Sequence, residues 1–393
     1  GGKRTAHLAG LVNAVLRALP EGLTLPVQKL PRWLRQPLVH SYGRDITTAI
    51  EAVQAQEPPL DLTLRDGFPH PEGDLLPTGS LRLRSPGQLS TLPGYAEGGW
   101  WVQDAAAAVP GRLLDVKPGE DGHYAGRRKR GGLGRVFGGQ VIAQALASAE
   151  RTVPDDRPVH SLHAYFLRGG SEDHEIDFKV ERDLDGGSFS NRRVVASQPD
   201  AAGQARPILT MVASFHKREE GRYHAEPMPE VAGPDGLLSE SELRHKHADR
   251  MTEQQRAYML QPRPIELRPL ESRHWMGGGP QEPKAHTWFR SVAALPDDPR
   301  IHRAILAYAS DMTLLGTSTL PHDISWAKGN LMGASLDHAI WFHDDFRADE
   351  WLLYAQETPS AASGRAFATG SVFTSEGKLA VTVVQEGLIR PPR

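Results

Sequence analysis

Hydrophobic residues recur every three or four positions in one central stretch of the chain. Residues 138–150 place Val141, Ile142, Leu146 and Ala149 on a single face, which predicts an amphipathic helix. Apolar and polar residues alternate in four runs that follow this helix, and each run is typical of a half-buried strand. These predicted strands span residues 159–167, 176–182, 192–197 and 208–215.

The later half of the chain repeats this order of elements. A second helix is predicted over residues 301–310, and four alternating runs follow it, over residues 331–342, 351–356, 365–373 and 379–388. Residues 161–164 align with residues 335–338, an offset of 174 positions. An amphipathic helix with one sheet to bury against favours a sheet curled round that helix. The pattern therefore predicts an α+β fold that is duplicated in tandem.

The segments outside the two repeats are richer in proline and polar residues. Residues 217–299 begin as a polar stretch and then contain two strand-like runs, residues 265–268 and 286–292. We interpret them as a linker and the opening strands of the second half. In front of the repeats, a helix over residues 8–19 closes at Pro20.

Short elements separated by prolines fill the rest of the front segment. A helix is predicted over residues 46–55, and strands over residues 60–64 and 79–84. The character of the chain changes near residue 112, so we place a boundary there. The predicted divisions are residues 1–112, 113–220, 221–262 as linker, and 263–393.

Composition narrows the possible chemistry. The 393 residues include 45 Lys+Arg and 48 Asp+Glu, so the net charge of −3 gives no general attraction to nucleic acid or anionic membranes. The longest apolar runs, such as residues 105–110, are too short to span a bilayer, so we expect a cytoplasmic protein without a membrane span. The chain has no cysteine, which excludes disulfides, thiolate metal sites and a cysteine nucleophile.

Six motifs in the duplicated part occur in an order that is typical of one enzyme family. They are residues 135–140, 160–168, 187–193, 308–311, 337–343 and 384–387. With these motifs, residues 113–390 resemble the type II acyl-CoA thioesterases, whose fold is a tandem double hotdog. The resemblance implies hydrolysis of fatty acyl-CoA by a directly activated water molecule. It assigns the three residues that hold this water to Asp311, Ser335 and Gln385.

The residues themselves are compatible with that chemistry. A thioester carbonyl needs a nucleophile, and without Cys or a Gly-x-Ser-x-Gly turn the remaining nucleophile is water. Asp311 can accept the proton of that water, and Ser335 and Gln385 can orient it. Gly138 and Gly139 begin the first helix, where the small residues would let a substrate carbonyl approach the helix N-terminus closely. We therefore predict that both glycines bind substrate.

Each of these features also has an ordinary explanation. Asp311 can be a polar residue at a helix end, Ser335 a small inward-facing residue, and Gln385 a polar group beside a buried run. The basic residues 127–130 could bind CoA phosphates or form a solvated loop. Histidine pairs at positions 160 and 163 and at positions 338 and 343 would point to opposite strand faces, so we expect no metal and no other cofactor.

The front segment contains stretches of a different kind. Residues 10–17, 57–63, 76–80 and 100–107 are similar to an interior part of bacterial ribosomal RNA (cytosine-5) methyltransferases. The resemblance spans residues 3–112 and stops before that family's cofactor loop and catalytic cysteines, so methyl transfer by that mechanism is impossible here. The sequence thus resembles a methyltransferase fragment fused to a thioesterase.

Two functions follow from these resemblances. The first is an acyl-CoA hydrolase with a passive front segment. We expect this enzyme to form a homo-oligomer. The alternative is an RNA-binding or interaction protein in which the duplicated part serves as scaffold. RNA binding is not expected, because residues 1–112 contain no dense basic run.

Overall fold

The structure, a computed structural model, covers most of the chain. It describes residues 29–55, 58–65, 67–76, 80–84, 87–103, 114–126, 134–261, 263–271, 279–322, 324–325 and 328–392. The predicted helix over residues 8–19 and the basic residues 127–130 lie outside these ranges. The chain divides into two compact units, residues 1–102 and 103–393. The predicted boundary at residue 112 falls in a stretch, residues 104–113, that is not among the described residues.

The first unit is a small α+β assembly. Its helices are α1 (Arg32–Tyr42) and α2 (Arg44–Gln54), and its strands are β1 (Leu60–Leu64), β2 (Asp74–Leu75), β3 (Leu81–Leu83) and β4 (Trp100–Val102). The strands form an antiparallel sheet in the order β2-β3-β1-β4. Leu62 and Trp100 are buried in its small core, and the Asp61 carboxylate accepts two hydrogen bonds, at 2.7 and 2.8 Å, from Arg82.

The second unit contains the duplicated elements. Its helices are α3 (Gly138–Glu150), α4 (Glu240–Lys246), α5 (Glu253–Met259), α6 (Pro299–Ser310) and α7 (Leu314–Thr317). Its first strands are β5 (Val116–Pro118), β6 (His123–Gly126), β7 (Val159–Phe166), β8 (Ile176–Asp185), β9 (Phe189–Pro199) and β10 (Ala205–His216). The later strands are β11 (Ile265–Pro269), β12 (Lys284–Ser291), β13 (Met332–Ser335), β14 (Asp337–Phe342), β15 (Leu352–Ala362), β16 (Arg365–Thr374) and β17 (Leu379–Arg390).

The strands of both repeats join in one antiparallel sheet. The order is β11-β12-β15-β16-β17-β14-β7-β10-β9-β8-β6-β5, with β13 also paired to β17. The junction between the repeats is the pairing of β7 with β14, in which Ala164 lies opposite His338 and Leu162 opposite Ile340. The predicted α+β fold, one helix and one antiparallel sheet per repeat, is therefore confirmed, and the two sheets are continuous across the junction.

The two long helices lie side by side inside this sheet and run in opposite directions. At one end, the backbone at Gly139 of α3 approaches the Tyr308 carbonyl near the end of α6. At the other end, Glu150 of α3 pairs with Arg303 of α6 at 2.7 Å. Both helices bury their apolar faces in one shared core, which explains why neither repeat needs a second sheet to cover its helix.

The segment between the repeats is more ordered than its composition suggested. Two short helices, α4 and α5, occur within the predicted linker, and each begins with a capping box, Ser239 with Glu242 and Thr252 with Gln255. In each box a hydroxyl accepts a backbone N–H while the Glu or Gln side chain accepts the N-cap N–H. These reciprocal bonds satisfy the free donors at a helix start, so seven-residue helices form in a polar stretch.

The helices in the described part of the chain have at most 13 residues. Across the described ranges, none of them has the length and the apolar character that crossing a lipid bilayer would require.

Candidate active site

Three polar side chains meet where α6 ends. The amide Nε2 of Gln385 donates to Asp311 Oδ1 at 2.7 Å and to Ser335 Oγ at 2.8 Å. The hydroxyl of Ser335 in turn donates to Asp311 Oδ1 at 3.2 Å. The structure thus brings together the three residues that the sequence singled out, although they are separated by up to 74 positions. Their role in catalysis stays a prediction at this point.

A β-bulge places the serine at this site. Ser335 lies opposite Gly387 of β17, whereas Ala339 lies opposite Val384, so three residues of one strand face two of the other. The sequence predicted one continuous strand over residues 331–342, and the bulge instead divides it into β13 and β14. Asp337 stabilises the bulge, because its Oδ1 accepts the Glu386 N–H at 2.6 Å.

The bulge changes which side chains face the core. In an unbroken strand, residues 335 and 338 would point to opposite faces of the sheet. Here the side chain of Ser335 reaches Asp311 and that of His338 reaches Ser310, so both contact the end of α6. The break at Leu336 therefore allows two neighbouring polar groups of one strand to serve one site.

The carboxylate of Asp311 has an unusual acidity. Burial raises the pKa of Asp311 to about 6, and this effect outweighs the hydrogen bonds from Gln385, Ser335 and the backbone of Gly139, which favour the ionised form. A carboxylate with this pKa is mostly ionised at pH 7.5 and is a stronger base than an ordinary aspartate. These are the properties that a general base needs near neutral pH.

The start of α3 contacts this carboxylate directly. The backbone N–H of Gly139 donates to Asp311, and a Cβ at Gly138 would lie 2.7 Å from Asp311 Oδ2. The absence of a side chain at Gly138 therefore lets the carboxylate approach the positive end of the helix dipole. The sequence assigned these glycines to the substrate; the structure shows that they also hold the base, and their contact with substrate stays a prediction.

One atom of the site is left without a partner. Gln385 is 1% exposed, and within the described part of the chain its Oε1 accepts no hydrogen bond. A buried amide oxygen normally has a donor, so its lone pairs are available to a small ligand such as water. Because Nε2 of the same amide is bonded to Asp311, a water molecule bound at Oε1 would lie beside the base.

Sequence reasoning missed one buried group next to the site. His338 was considered only as a metal ligand, yet it is fully buried and bonded to Ser310 Oγ at 2.8 Å. No group of three or more His, Asp or Glu residues that could hold a metal ion occurs among the described residues. The available signal was the position of His338 three residues after Ser335, at the start of the motif over residues 337–343.

The glycine at position 139 offers a test of the contact between the two helices. A Cβ there would overlap the carbonyl oxygen of Tyr308 and the ring of Phe137. We expect Gly139→Ala to lower the free energy of unfolding by about 1–3 kcal/mol, because backbone atoms cannot yield as a side chain can. Urea denaturation measures this change, and hydrolysis of the thioester should fall with it.

The matched control for this variant is Gly187→Ala. Gly187 lies in the turn between β8 and β9, where no described atom comes within 4 Å of an added Cβ. This variant should unfold at the wild-type urea concentration. Equal stability of the two variants would show that the close approach of α3 to α6 does not require glycine.

Comparison with known proteins assigns the second unit to one group. The family profile "Acyl-CoA thioesterase N-terminal domain" matches residues 127–216, and the profile "Acyl-CoA thioesterase" matches residues 255–388. Acyl-CoA thioesterase 2 of Haemophilus influenzae is 34% identical over 278 residues, which cover 71% of this chain and 96% of that protein. Acyl-coenzyme A thioesterase 8 of Homo sapiens is 36% identical over 296 residues, which cover 73% and 90%.

A solved structure gives the same result for the fold. The crystal structure of an acyl-CoA thioesterase II from Mycobacterium marinum is 40% identical and covers 72% of this chain and 98% of its own, with a TM-score of 0.57. This likeness confirms the double hotdog arrangement that the repeat and the motifs predicted.

The front segment has a different relative. Ribosomal RNA small subunit methyltransferase B of Pectobacterium carotovorum is 31% identical over 141 residues, which cover 29% of this chain and 32% of that protein. The predicted resemblance to a methyltransferase fragment is thereby confirmed, and it extends to about a third of the methyltransferase.

Proposed function

This chain belongs to the acyl-CoA thioesterase family and hydrolyses acyl-CoA thioesters, and we propose that Asp311, Ser335 and Gln385 are the residues that carry out the reaction. The substrate is a fatty acyl-CoA, and the products are a free fatty acid and CoA. The observation that carries this proposal is the closed set of hydrogen bonds among the three side chains, with a buried acceptor left over on Gln385.

The geometry supports a direct attack by water. A water molecule bound to Gln385 Oε1 would lie near Asp311, whose carboxylate takes one of its protons as the oxygen attacks the thioester carbonyl carbon. The C–S bond of the resulting tetrahedral intermediate then breaks. The CoA thiolate leaves and recovers the proton from Asp311, so that the carboxylate is ready for a second water molecule.

Ser335 and the two glycines have supporting roles in this proposal. Ser335 donates to the Asp311 oxygen that also accepts from Gln385, so it fixes the orientation of the base. Gly138 and Gly139 open the N-terminus of α3 toward the substrate, and the positive end of that helix would stabilise charge developing on the carbonyl oxygen. Both glycines are therefore proposed as substrate-binding positions.

Release of CoA from palmitoyl-CoA tests the proposed function. The purified chain should liberate a free thiol, measured by colour with a thiol reagent, at a rate proportional to its concentration. Prior treatment with iodoacetamide should not change the rate, because the chain has no cysteine. Absence of hydrolysis by the folded protein, or loss of hydrolysis after alkylation, would contradict the mechanism.

The alternative function, RNA binding by the front segment, has less support. The relative that suggests it is matched over about a third of its length, and methyl transfer through cysteine is impossible in this chain. We therefore propose that residues 1–112 are a passive appendage. A cytoplasmic location and a homo-oligomeric state remain predictions from the sequence.

The division of the chain leads to a further expectation. We propose that residues 113–220 and 263–393 form the two hotdogs and that residues 221–262 connect them. All three proposed catalytic residues lie in the second unit, so a chain that begins at Arg112 should hydrolyse palmitoyl-CoA within about threefold of the full-length rate. Loss of activity in a folded truncated protein would show that the front segment is required.

A further inference from the structure

A buried histidine lies directly behind the proposed base. His338 is the second residue of β14, at the junction of the two repeats, and its side chain is fully buried. Its Nε2 is 2.8 Å from Ser310 Oγ, and Ser310 immediately precedes Asp311. None of the proposed catalytic steps uses this histidine.

The hydrogen bonds around Ser310 determine which nitrogen of His338 carries the proton. Ser310 Oγ donates its only proton to the Ala307 carbonyl at 3.0 Å, so it can only accept from the histidine. In this arrangement Nε2 of His338 carries a proton, and its Nδ1 has no hydrogen-bond partner among the described residues. Burial, which lowers its pKa to about 3, keeps it neutral throughout the pH range in which the enzyme would work.

Ser310 is held through both its side chain and its backbone. His338 of β14 binds its hydroxyl, and the Tyr354 hydroxyl of β15 donates to its carbonyl oxygen at 3.1 Å. Two strands thus fix the last residue of α6, and the next residue carries the base. Because His338 is uncharged, it does not itself shift the pKa of Asp311. That pKa is set by burial and by the hydrogen bonds that Asp311 accepts.

From this arrangement we propose that His338 is a positioning residue, which acts through Ser310 to hold the carboxylate of Asp311 in its buried orientation toward Ser335 and Gln385. The inference rests on the proposed function of Asp311 as the general base. Without this anchor the end of α6 can shift, and the carboxylate moves toward solvent. A displacement of about 1 Å in an active site can cost on the order of 10²-fold in rate.

A purely structural role for His338 makes a different prediction. It would lower stability without changing the acidity of Asp311. In the described part of the chain, the ionisable side chains whose pKa values respond to the Asp311 charge are Tyr308 and Tyr354. Burial raises both of these pKa values, that of Tyr308 to about 12, so neither tyrosine titrates where Asp311 does. Neither tyrosine therefore sets the acidic limb of the pH–rate profile. Asp337, a second carboxyl near the site whose pKa burial raises, accepts the Glu386 N–H and is not bonded to Asp311.

The experiment compares two replacements of His338 in the full-length protein with palmitoyl-CoA as substrate. His338→Leu keeps an apolar side chain of moderate size and removes the hydrogen bond, whereas His338→Gln keeps an N–H donor that can reach Ser310. We expect the Leu variant to lose about 10- to 100-fold in kcat with KM within twofold. Its acidic limb should move from about 6 toward the ordinary aspartate value of about 4, since burial is the main cause of the raised pKa.

Two further variants serve as a second test of the same contact and as a control for a similar contact elsewhere. Ser310→Ala removes the partner of the histidine by a smaller change and should move the limb in the same direction. His160→Leu removes a similar contact elsewhere in the sheet, between His160 Nε2 and Ser214 Oγ at 2.8 Å, and should change neither kcat nor the limb. His338→Gln should recover at least half of the activation free energy that His338→Leu loses.

The outcomes separate this inference from the proposed function. Absence of wild-type hydrolysis, or a wild-type profile without an acidic limb, would overturn the function of Asp311 itself. A normal wild-type limb that stays in place in folded His338→Leu and Ser310→Ala would overturn only the positioning role. A downward shift in these two variants, with His160→Leu unchanged, supports it.

Discussion

Replacing Asp311 with Asn is expected to lower kcat for palmitoyl-CoA by about 10²- to 10⁴-fold, the usual contribution of a general base. The amide has the shape of the carboxylate, and its oxygen can still accept from Gln385 and Ser335 at the Oδ1 position. It cannot take a proton from water at neutral pH, so the attacking oxygen is not activated. Thiol release measured at saturating substrate gives the change in kcat.

The stability of this variant provides the control. The pKa of Asp311 is raised in the folded state, so the wild type loses stability as the pH rises from about 4 through 6. Above that range the full destabilisation from the ionised carboxylate is present. Asn has no such cost, and at pH 8 the variant should be no less stable than the wild type. Activity within threefold of wild type in the folded variant would contradict the role of Asp311.

Replacing Gln385 with Leu is expected to reduce kcat on the order of 10²-fold, as does removal of one preorganised hydrogen-bonding group in other enzymes. The variant loses the proposed water acceptor Oε1 and the Nε2 donor to Asp311 at 2.7 Å. Because that donor favours the ionised carboxylate, its removal should also raise the pKa of Asp311. The acidic limb of the pH–rate profile should therefore move above 6, opposite to the shift expected for His338→Leu.

A second buried glutamine serves as the control for this substitution. Gln198 of β9 is 5% exposed, and its amide is bonded to the backbone of Ser171 and His174. Gln198→Leu should cost stability and leave the acidic limb of the profile in place. A similar fall in kcat for both variants, without a shift of the limb, would show that Gln385 acts only through folding.

The long elements of the duplicated part could be predicted closely from the sequence. The helix expected over residues 138–150 is α3, Gly138–Glu150, because a stripe of buried apolar residues both signals the helix and packs it. The long strands that follow each helix were also found, although they extend beyond the apolar runs, whereas the short strands β5 and β6 were missed. Strand β9, for example, continues to Pro199 because backbone pairing with β10 does not depend on side-chain polarity.

Elements that depend on local polar contacts were harder to predict. Helices α4 and α5 lie in a stretch without an apolar stripe, which the sequence analysis assigned to a linker. The signal that could have revealed them was the pair of capping boxes at Ser239 and Thr252. The bulge at Leu336 could not be read from the hydrophobic pattern, because apolar and polar residues still alternate before and after the one extra residue. Its signal was Asp337, a carboxylate inside an apolar run that needed a partner.

The same limits applied to the site. The motifs pointed to Asp311, Ser335 and Gln385, but they could not show that the N–H of Gly139 donates to the base. That contact depends on the antiparallel packing of α3 against α6, which brings together the start of one repeat helix and the end of the other. The role of His338 likewise became visible only when the bulge turned it toward Ser310.

The pH dependence of kcat/KM for palmitoyl-CoA tests the central claim, that the partly buried carboxylate of Asp311 activates water directly. Asp311 must be ionised to act, and burial raises its pKa to about 6, so activity should be low at pH 5, rise through one ionisation near pH 6 and level off above pH 7. A profile that is already flat between pH 5 and 8, or that rises only around the ordinary aspartate value of about 4, would contradict the account.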